Sequence, residues 1–459
     1  MKLRLLFIIP VLLVATACNK LLEFPPEDVI LAEDALQSPE DMQRLLNSCY
    51  DVLANIFDGR QQNVAELLSD NLAEPETNLD YIAVFNRETN FFTPSTNGLY
   101  ADYYFAIYRC NILLESFDLI EGLSDAERTR IEAEARFIRG LCHSLCLQLY
   151  ARPAGWSAGN QHLGIVVKTN SDAEPLPRGR VDEAYLAVVE DFEFAMNNLP
   201  TANGAYATKW SAAGALANTH FLLGNYEQAV FYAGEVINSG VFSLEPTVFR
   251  FKQDEVSSES VFGTVGSLID NRSETLRDNY NGTTPTLLLS SDFATLMSFT
   301  PSDARNAWLE GAINPAVRKF YDAEGNAMEY FNVPVISLTE LHLVRAEAIG
   351  ELIDNGGSAD LSVAIADVNA IRDRAFGAGM NPLASDATAQ EVIEAARIEY
   401  RKETICEGKW QAQLKRRGAI EGEDIEVRDA PYDCPGMSIQ FPNNETTVAG
   451  FQLNEEGGC

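Results

Sequence analysis

Histidine is scarce in this chain: there are four in 459 residues, and no His-Glu-x-x-His or comparable metal spacing. The familiar zinc-hydrolase patterns are therefore missing. No Gly-x-Ser-x-Gly elbow occurs, so a serine hydrolase has no marked nucleophile. Positive charge is also short, with 34 Lys and Arg against 67 Asp and Glu and a formal net charge of −33. Such a surface repels phosphate backbones and anionic lipid, which excludes nucleic acid as a partner. Beyond the N-terminus no stretch stays apolar for the roughly 20 residues that a membrane helix needs. What remains is ordinary for a globular protein: 46% hydrophobic and 22% charged residues, enough for a large core under a solvated acidic surface. With 67 acidic residues, carboxylate pairs at glycosidase separation arise by chance, and nothing marks one pair as special. Neither an enzyme nor a cofactor is expected.

The N-terminus reads as a secretory leader over residues 1–18. Lys2 and Arg4 precede an apolar run from Leu5 to Val14, and Ala15-Thr16-Ala17-Cys18 follows. Small residues directly before a cysteine resemble a bacterial lipobox, in which Cys18 is acylated and becomes the mature N-terminus. Membrane attachment is then expected through that lipid alone. Residues 19–38, with Pro25-Pro26, form a tether.

Helical periodicity organises most of the rest. Ser38-Pro39-Glu40 opens a helix to about Phe57, with Ser38 as N-cap. Further helices are expected at about Leu99–Ile120, Ser124–Tyr150, Val181–Leu199, Thr208–Leu223 and Tyr226–Asn238. Three more segments follow in close order. Leu338, Leu341, Val344, Ala348 and Leu352 share a stripe that ends at Gly356-Gly357. Leu361, Ile365, Val368 and Ile371 form the next. Thr388 and Glu391 make the capping-box spacing that opens the third. Helix, short turn, helix, each with one apolar stripe, is the pattern of tetratricopeptide-like stacks. Two long stretches break it, 58–98 and 240–336, and a tail over 419–459 carries little helical signal. Glu259–Val265 reads as a short strand. The expected class is all-α, helix pairs with long irregular loops and minor β structure, in a single domain over 39–459.

Eight cysteines suit an oxidising compartment. Cys142 and Cys146 lie one helical turn apart beside His143, and burial as small apolar residues explains them better than a metal. Cys434 and Cys459 flank the irregular tail and are the candidate disulfide.

Several motifs resemble the SusD/RagB family: Leu338-Thr-Glu-Leu-His-Leu-Val-Arg-Ala-Glu-Ala348, Asp367-Val-Asn-Ala-Ile-Arg-Asp-Arg-Ala375, Glu407-Gly408 and Leu414-Lys-Arg-Arg-Gly418. Glu134-Ala-Arg-Phe-Ile-Arg-Gly140 and Gln440-Phe-Pro-Asn-Asn-Glu445 resemble it too. The pattern departs at Glu399-Tyr400-Arg401, where the arginine stands one place late, and at Trp410-Gln-Ala-Gln413. The resemblance implies an outer-membrane lipoprotein that binds a nutrient, most often a glycan, and passes it to a SusC-like TonB-dependent transporter. Peptide capture is the alternative within that class, and a protein-binding adaptor the alternative outside it. Relatives carry ligand residues on loops, which places the site in 58–98 and 270–332. By residue type, Trp308 and Tyr81 are the expected stacking platforms, with Arg305, Asn306 and Asn78 as hydroxyl partners. Trp410 and Trp210 are expected to pack.

Overall fold

The computed structural model describes residues 36–456 and 458–459. The leader, Cys18 and most of the tether lie outside the described residues. The first helix, α1 (Pro39–Ile56), starts where Ser38 accepts from the Asp41 amide, and it buries Met42, Leu46, Cys49, Leu53 and Ile56 along one stripe. Two short helices follow, α2 (Arg60–Leu67) and α3 (Leu79–Phe85). Both lie in a stretch expected to be irregular, and the reason is visible in α2. Gln61, Gln62, Asn63 and Glu66 are buried alongside Val64 and Leu67, so the helix is covered on all sides and shows no apolar stripe. Next come α4 (Pro94–Glu115), which begins on Pro94 five residues before the expected start, and α5 (Asp125–Tyr150) under a Ser124–Glu127 capping box. They are followed by α6 (Val181–Asn198), α7 (Lys209–Leu222) and α8 (Tyr226–Ile237).

The insertion holds β1 (Ser260–Thr264), α9 (Glu274–Asn281), α10 (Ser291–Ser298), the two-residue strands β2 (Leu309–Glu310) and β3 (Ala316–Val317), and β4 (Val333–Ser337). Strand β4 runs straight into α11 (Leu338–Asp354), and α12 (Leu361–Phe376), α13 (Ala389–Glu403) and α14 (Trp410–Arg416) complete the helices. The capping box expected at Thr388 and Glu391 is present at α13.

Helices α4, α5, α6, α7 and α8 pack each on the next, and α8 then packs on α11 across the whole insertion. The insertion therefore interrupts the sequence of the stack without interrupting its packing. Its ends are drawn together by the antiparallel pairing of β1 with β4. Helix α7 lies close against this ribbon, because a Cβ at Gly214 would stand 2.8 Å from Ile336 Cγ2.

A buried ion network ties the insertion to α13. Arg305 is fully buried and donates to Asp303 Oδ2 at 2.8 Å, Glu399 Oε2 at 2.7 Å and Glu403 Oε1 at 3.1 Å. Arg374 pairs with Glu403 at 2.8 Å and with Glu259, while Arg250 and Lys319 share Glu407. Burial alone would raise the Glu403 carboxyl, but Arg374, Arg305, Arg250 and Lys319 bring it down to about 2. Trp308 is fully buried, its ring centroid 5.2 Å from the Lys319 ammonium. The late arginine of α13 is accommodated here as well: Tyr400 fills the core, and Arg401 reaches Asp70 at 3.0 Å and Asn71 at 2.7 Å.

The tail has little regular structure beyond β5 (Glu426–Val427) and β6 (Ala430–Pro431), yet it is packed. Phe441 is buried against Tyr100 and Tyr150, and the Ile439 amide donates to the Leu149 carbonyl at 2.9 Å. Cys434 and Cys459 are joined as a disulfide, with Cα atoms 6.1 Å apart.

Two outcomes are expected. Cys434→Ser with Cys459→Ser releases a loop closed over 25 residues of sequence, and urea unfolding should show a loss of about 3 kcal/mol. Arg305→Leu strands carboxylates in the interior and should cost about 3–5 kcal/mol. The contribution of Glu403 is full above its ordinary pKa of 4.5 and lost as pH falls through about 2. The gap between Arg305→Leu and wild type should therefore narrow on acid titration. A folded Arg305→Leu protein of wild-type stability would return this residue to the list of ligand contacts.

Candidate ligand-binding surface

Each side chain chosen by type as a ligand contact has a task inside the fold. Trp308 offers no free face, and the Arg305 guanidinium makes four hydrogen bonds, all to carboxylates. Tyr81 is 6% exposed, and its hydroxyl accepts from Asn63 Nδ2 at 3.1 Å. Asn78 caps α3 by accepting from the Tyr81 amide at 3.3 Å, and Asn306 Nδ2 donates to the Thr300 carbonyl at 3.0 Å. Tyr81 and Asn78 share one helix start, while Arg305, Asn306 and Trp308 share one 3-10 turn. Burial and pairing take Trp308, Arg305 and Tyr81 out of a ligand's reach, whereas Asn78 is exposed and Asn306 is half-buried with its Oδ1 unpaired. An aromatic or an arginine in an irregular stretch looks the same in sequence whether it is buried or bare. Trp410 packs as expected, its indole N–H donating to Asp70 Oδ1 at 3.0 Å.

The structure does bring the two irregular stretches together. The Ala73 amide donates to the Leu288 carbonyl at 2.9 Å, Ser290 to Asn71 at 2.8 Å and Leu276 to Asp58 at 2.8 Å. Gly59, at φ 131°, allows this approach, because a Cβ there would lie 2.4 Å from the Leu276 nitrogen. On the same insertion is a cleft of about 570 Å³, formed by the end of α9, the Gly282–Thr284 turn and the Ala327–Glu329 segment. This is the size of small-ligand pockets. Arg277 spans it by donating to the Glu329 carbonyl, with Nε 2.8 Å from Asp278 Oδ1. Asn281 Nδ2 is buried without a protein partner. Amide, hydroxyl and carboxylate groups from Asn281, Thr283, Thr284 and Asp278 supply both donors and acceptors. That is the inventory needed for hydroxyls. The exposed rings of the two stretches are Phe92 and Phe299, neither of which lines the cleft.

A larger groove of about 740 Å³ runs beside Trp410, between α10, α13 and the turn after α14. Its charges are already matched. Arg397 pairs with Glu347, Glu351, Glu421 and Glu423, and Arg416 with Glu347 and Glu421. Burial, with the neighbouring Glu421 carboxylate, pushes Glu351 up to about 7. The carboxylates of Glu347, Glu351 and Glu421 lie close enough to hold a metal ion, but Arg397 and Arg416 already engage their oxygens. Cys142, His143 and Cys146 are buried, and burial with the Arg139 charge takes the His143 imidazole down to about 3. They are core residues of α5.

Comparison with known proteins gives a consistent picture. A SusD-like family described as "Starch-binding associating with outer membrane" matches residues 27–221, and the SusD family matches residues 292–436. A SusD-like protein from Formosa agariphila is 24% identical over 243 residues, half of this chain and 44% of that protein's length. Among solved structures, a SusD superfamily protein from Bacteroides thetaiotaomicron superposes with a TM-score of 0.79 at 21% identity, covering 91% of this chain and all of that one. One from Bacteroides vulgatus, titled a putative sugar binding protein, reaches 0.76 at 20% identity over 92% of this chain and 99% of its own. The stack of helix pairs, the helical insertion joined to it and both family matches agree: the chain belongs to the SusD/RagB family.

Proposed function

We propose that this protein is a non-catalytic, lipid-anchored nutrient binder of the outer membrane that takes an oligosaccharide into the α9 cleft and passes it to a SusC-like TonB-dependent transporter. The observation that carries the ligand site is the Asn281 amide, buried without a partner in a cleft rich in hydroxyl, amide and carboxylate groups. A buried unpaired donor costs roughly 1–3 kcal/mol, which a sugar hydroxyl recovers by accepting from it. The family description as starch-binding and outer-membrane-associated supports the ligand class and the location. So do two Bacteroides vulgatus neighbours, one named a putative sugar binding protein and one a SusD-like carbohydrate binding protein. Among the described residues no helix is long and apolar enough to cross a membrane, which fits attachment through Cys18. The exposed faces of the helix stack give the transporter a broad surface to meet.

Calorimetry against a panel of oligosaccharides and short peptides tests the ligand. Arg277→Ala and Asn281→Ala should each lower affinity for the bound glycan about three- to tenfold, the worth of one hydrogen bond, with little change in melting temperature. Peptide binding with no glycan response would replace this reading by peptide capture. Cys18→Ala should release the protein from the membrane fraction or block its processing. A processed, membrane-bound Cys18→Ala protein would exclude the lipid anchor.

A further inference from the structure

A second groove runs along β1. It has two lobes, of about 230 and 280 Å³, that share Tyr206 on one wall and Phe262, Gly263, Thr264 and Val265 on the other. Its chemistry differs from that of the cleft. The first lobe is rimmed by the exposed side chains of Val241, Val256 and Val265. An exposed apolar cluster bordering a concave site marks a contact surface better than scattered single residues do. Tyr206 is held in place, its ring 5.0 Å from that of Tyr50 and its hydroxyl donating to Asn47 Oδ1 at 3.1 Å. The ring is therefore a fixed, partly exposed platform. Between the lobes Thr264 is only 6% exposed, and its hydroxyl has no protein partner. At the second lobe Arg272 pairs with both Asp51 and Asp270, which leaves one net negative charge and disfavours an anionic ligand. The groove thus asks for a neutral ligand with three parts: a flat face for Tyr206, a small apolar group for the valines, and an acceptor for Thr264.

We propose that this groove binds an N-acylated sugar, an inference that rests on the carbohydrate reading above and names a ligand class for a different site. The apolar C–H face of the pyranose lies on Tyr206, as sugar rings do on aromatics. The acyl methyl sits among Val241, Val256 and Val265. A turn about the Thr264 χ1, exchanging its methyl and hydroxyl between staggered wells, lets the hydroxyl donate to the acyl carbonyl. A bare sugar hydroxyl in the same place would put a polar group against the valines. An acyl group satisfies the lobe and the threonine together.

Chitotriose and cellotriose make the test, because they differ only in an acetamido group in place of the 2-hydroxyl. Both are titrated by calorimetry into wild type, Thr264→Val, Tyr206→Ala and Asn281→Ala. Wild type should prefer chitotriose by about tenfold or more, the worth of one well-placed hydrogen bond with its methyl contact. Thr264→Val keeps the shape and should erase that preference, and Tyr206→Ala should weaken chitotriose while the protein stays folded. Equal affinity for the two trisaccharides overturns the proposal, as does an unchanged preference in Thr264→Val, or displacement of chitotriose by an apolar tripeptide. If glycan binding is lost in Asn281→Ala and untouched in Thr264→Val, the α9 cleft stands and the acyl-sugar groove falls. If Asn281→Ala binds every glycan like wild type while Thr264→Val does not, the reverse holds.

Discussion

A guanidinium taken out of water must be surrounded by acceptors, or its desolvation outweighs anything gained by burying it. Arg305 meets that demand with Asp303, Glu399 and Glu403, and in doing so it fastens the insertion to α13. The same carboxylates hold Arg372 and Arg374 of α12 and Lys402 of α13. Four parts of the chain thus meet through one set of charges: the strand-forming start of the insertion, its 303–319 segment, α12 and α13. Such a network gives limited net stability, because desolvation offsets most of the attraction. It does admit few alternative arrangements, since any slip of the insertion leaves a charge unmatched.

This constraint decides where function can sit. Arg305 completes the network and has no capacity left for a ligand, and its neighbour Trp308 is fully buried. The groove beside Trp410 is removed for the same reason, its arginines and glutamates being matched to one another. Two places where a polar group is buried and unanswered at the edge of a cavity are Asn281 in the α9 cleft and Thr264 in the β1 groove. Both lie in the insertion, on the loops and short elements that the rigid stack holds in place.

Acidity plays a different part inside and outside the molecule. Outside, the net charge of −33 keeps the surface solvated and indifferent to anionic partners. Inside, carboxylates are the counterions for buried arginine and lysine, and their pKa values diverge with their company. Glu403, among four cations, is drawn down to about 2, while Glu66, desolvated and held by neutral donors, rises to about 7. Sequence position separates these residues poorly, and packing separates them fully.

The helices were legible because local periodicity and capping are properties of neighbouring residues. Ser38, Ser124 and Thr388 cap the helices that their positions announce, and the stripes of α12 and α13 are buried faces, while α11 is covered nearly all round. The motifs around residues 338–418 likewise carried the family. Helix α2 was not legible, because its buried positions include Gln61, Gln62, Asn63 and Glu66, so burial there leaves no apolar period to read. The two loop-rich stretches were legible only as regions. Composition marked 58–98 and 270–332, and tertiary structure joined them by the Ala73–Leu288 and Ser290–Asn71 contacts. Which residues stay free for a ligand was decided by long-range pairing alone. Arg305 meets Glu403 across 98 residues, and Tyr81 meets Asn63 across 18; such pairings close only when the chain folds, and no local pattern records them.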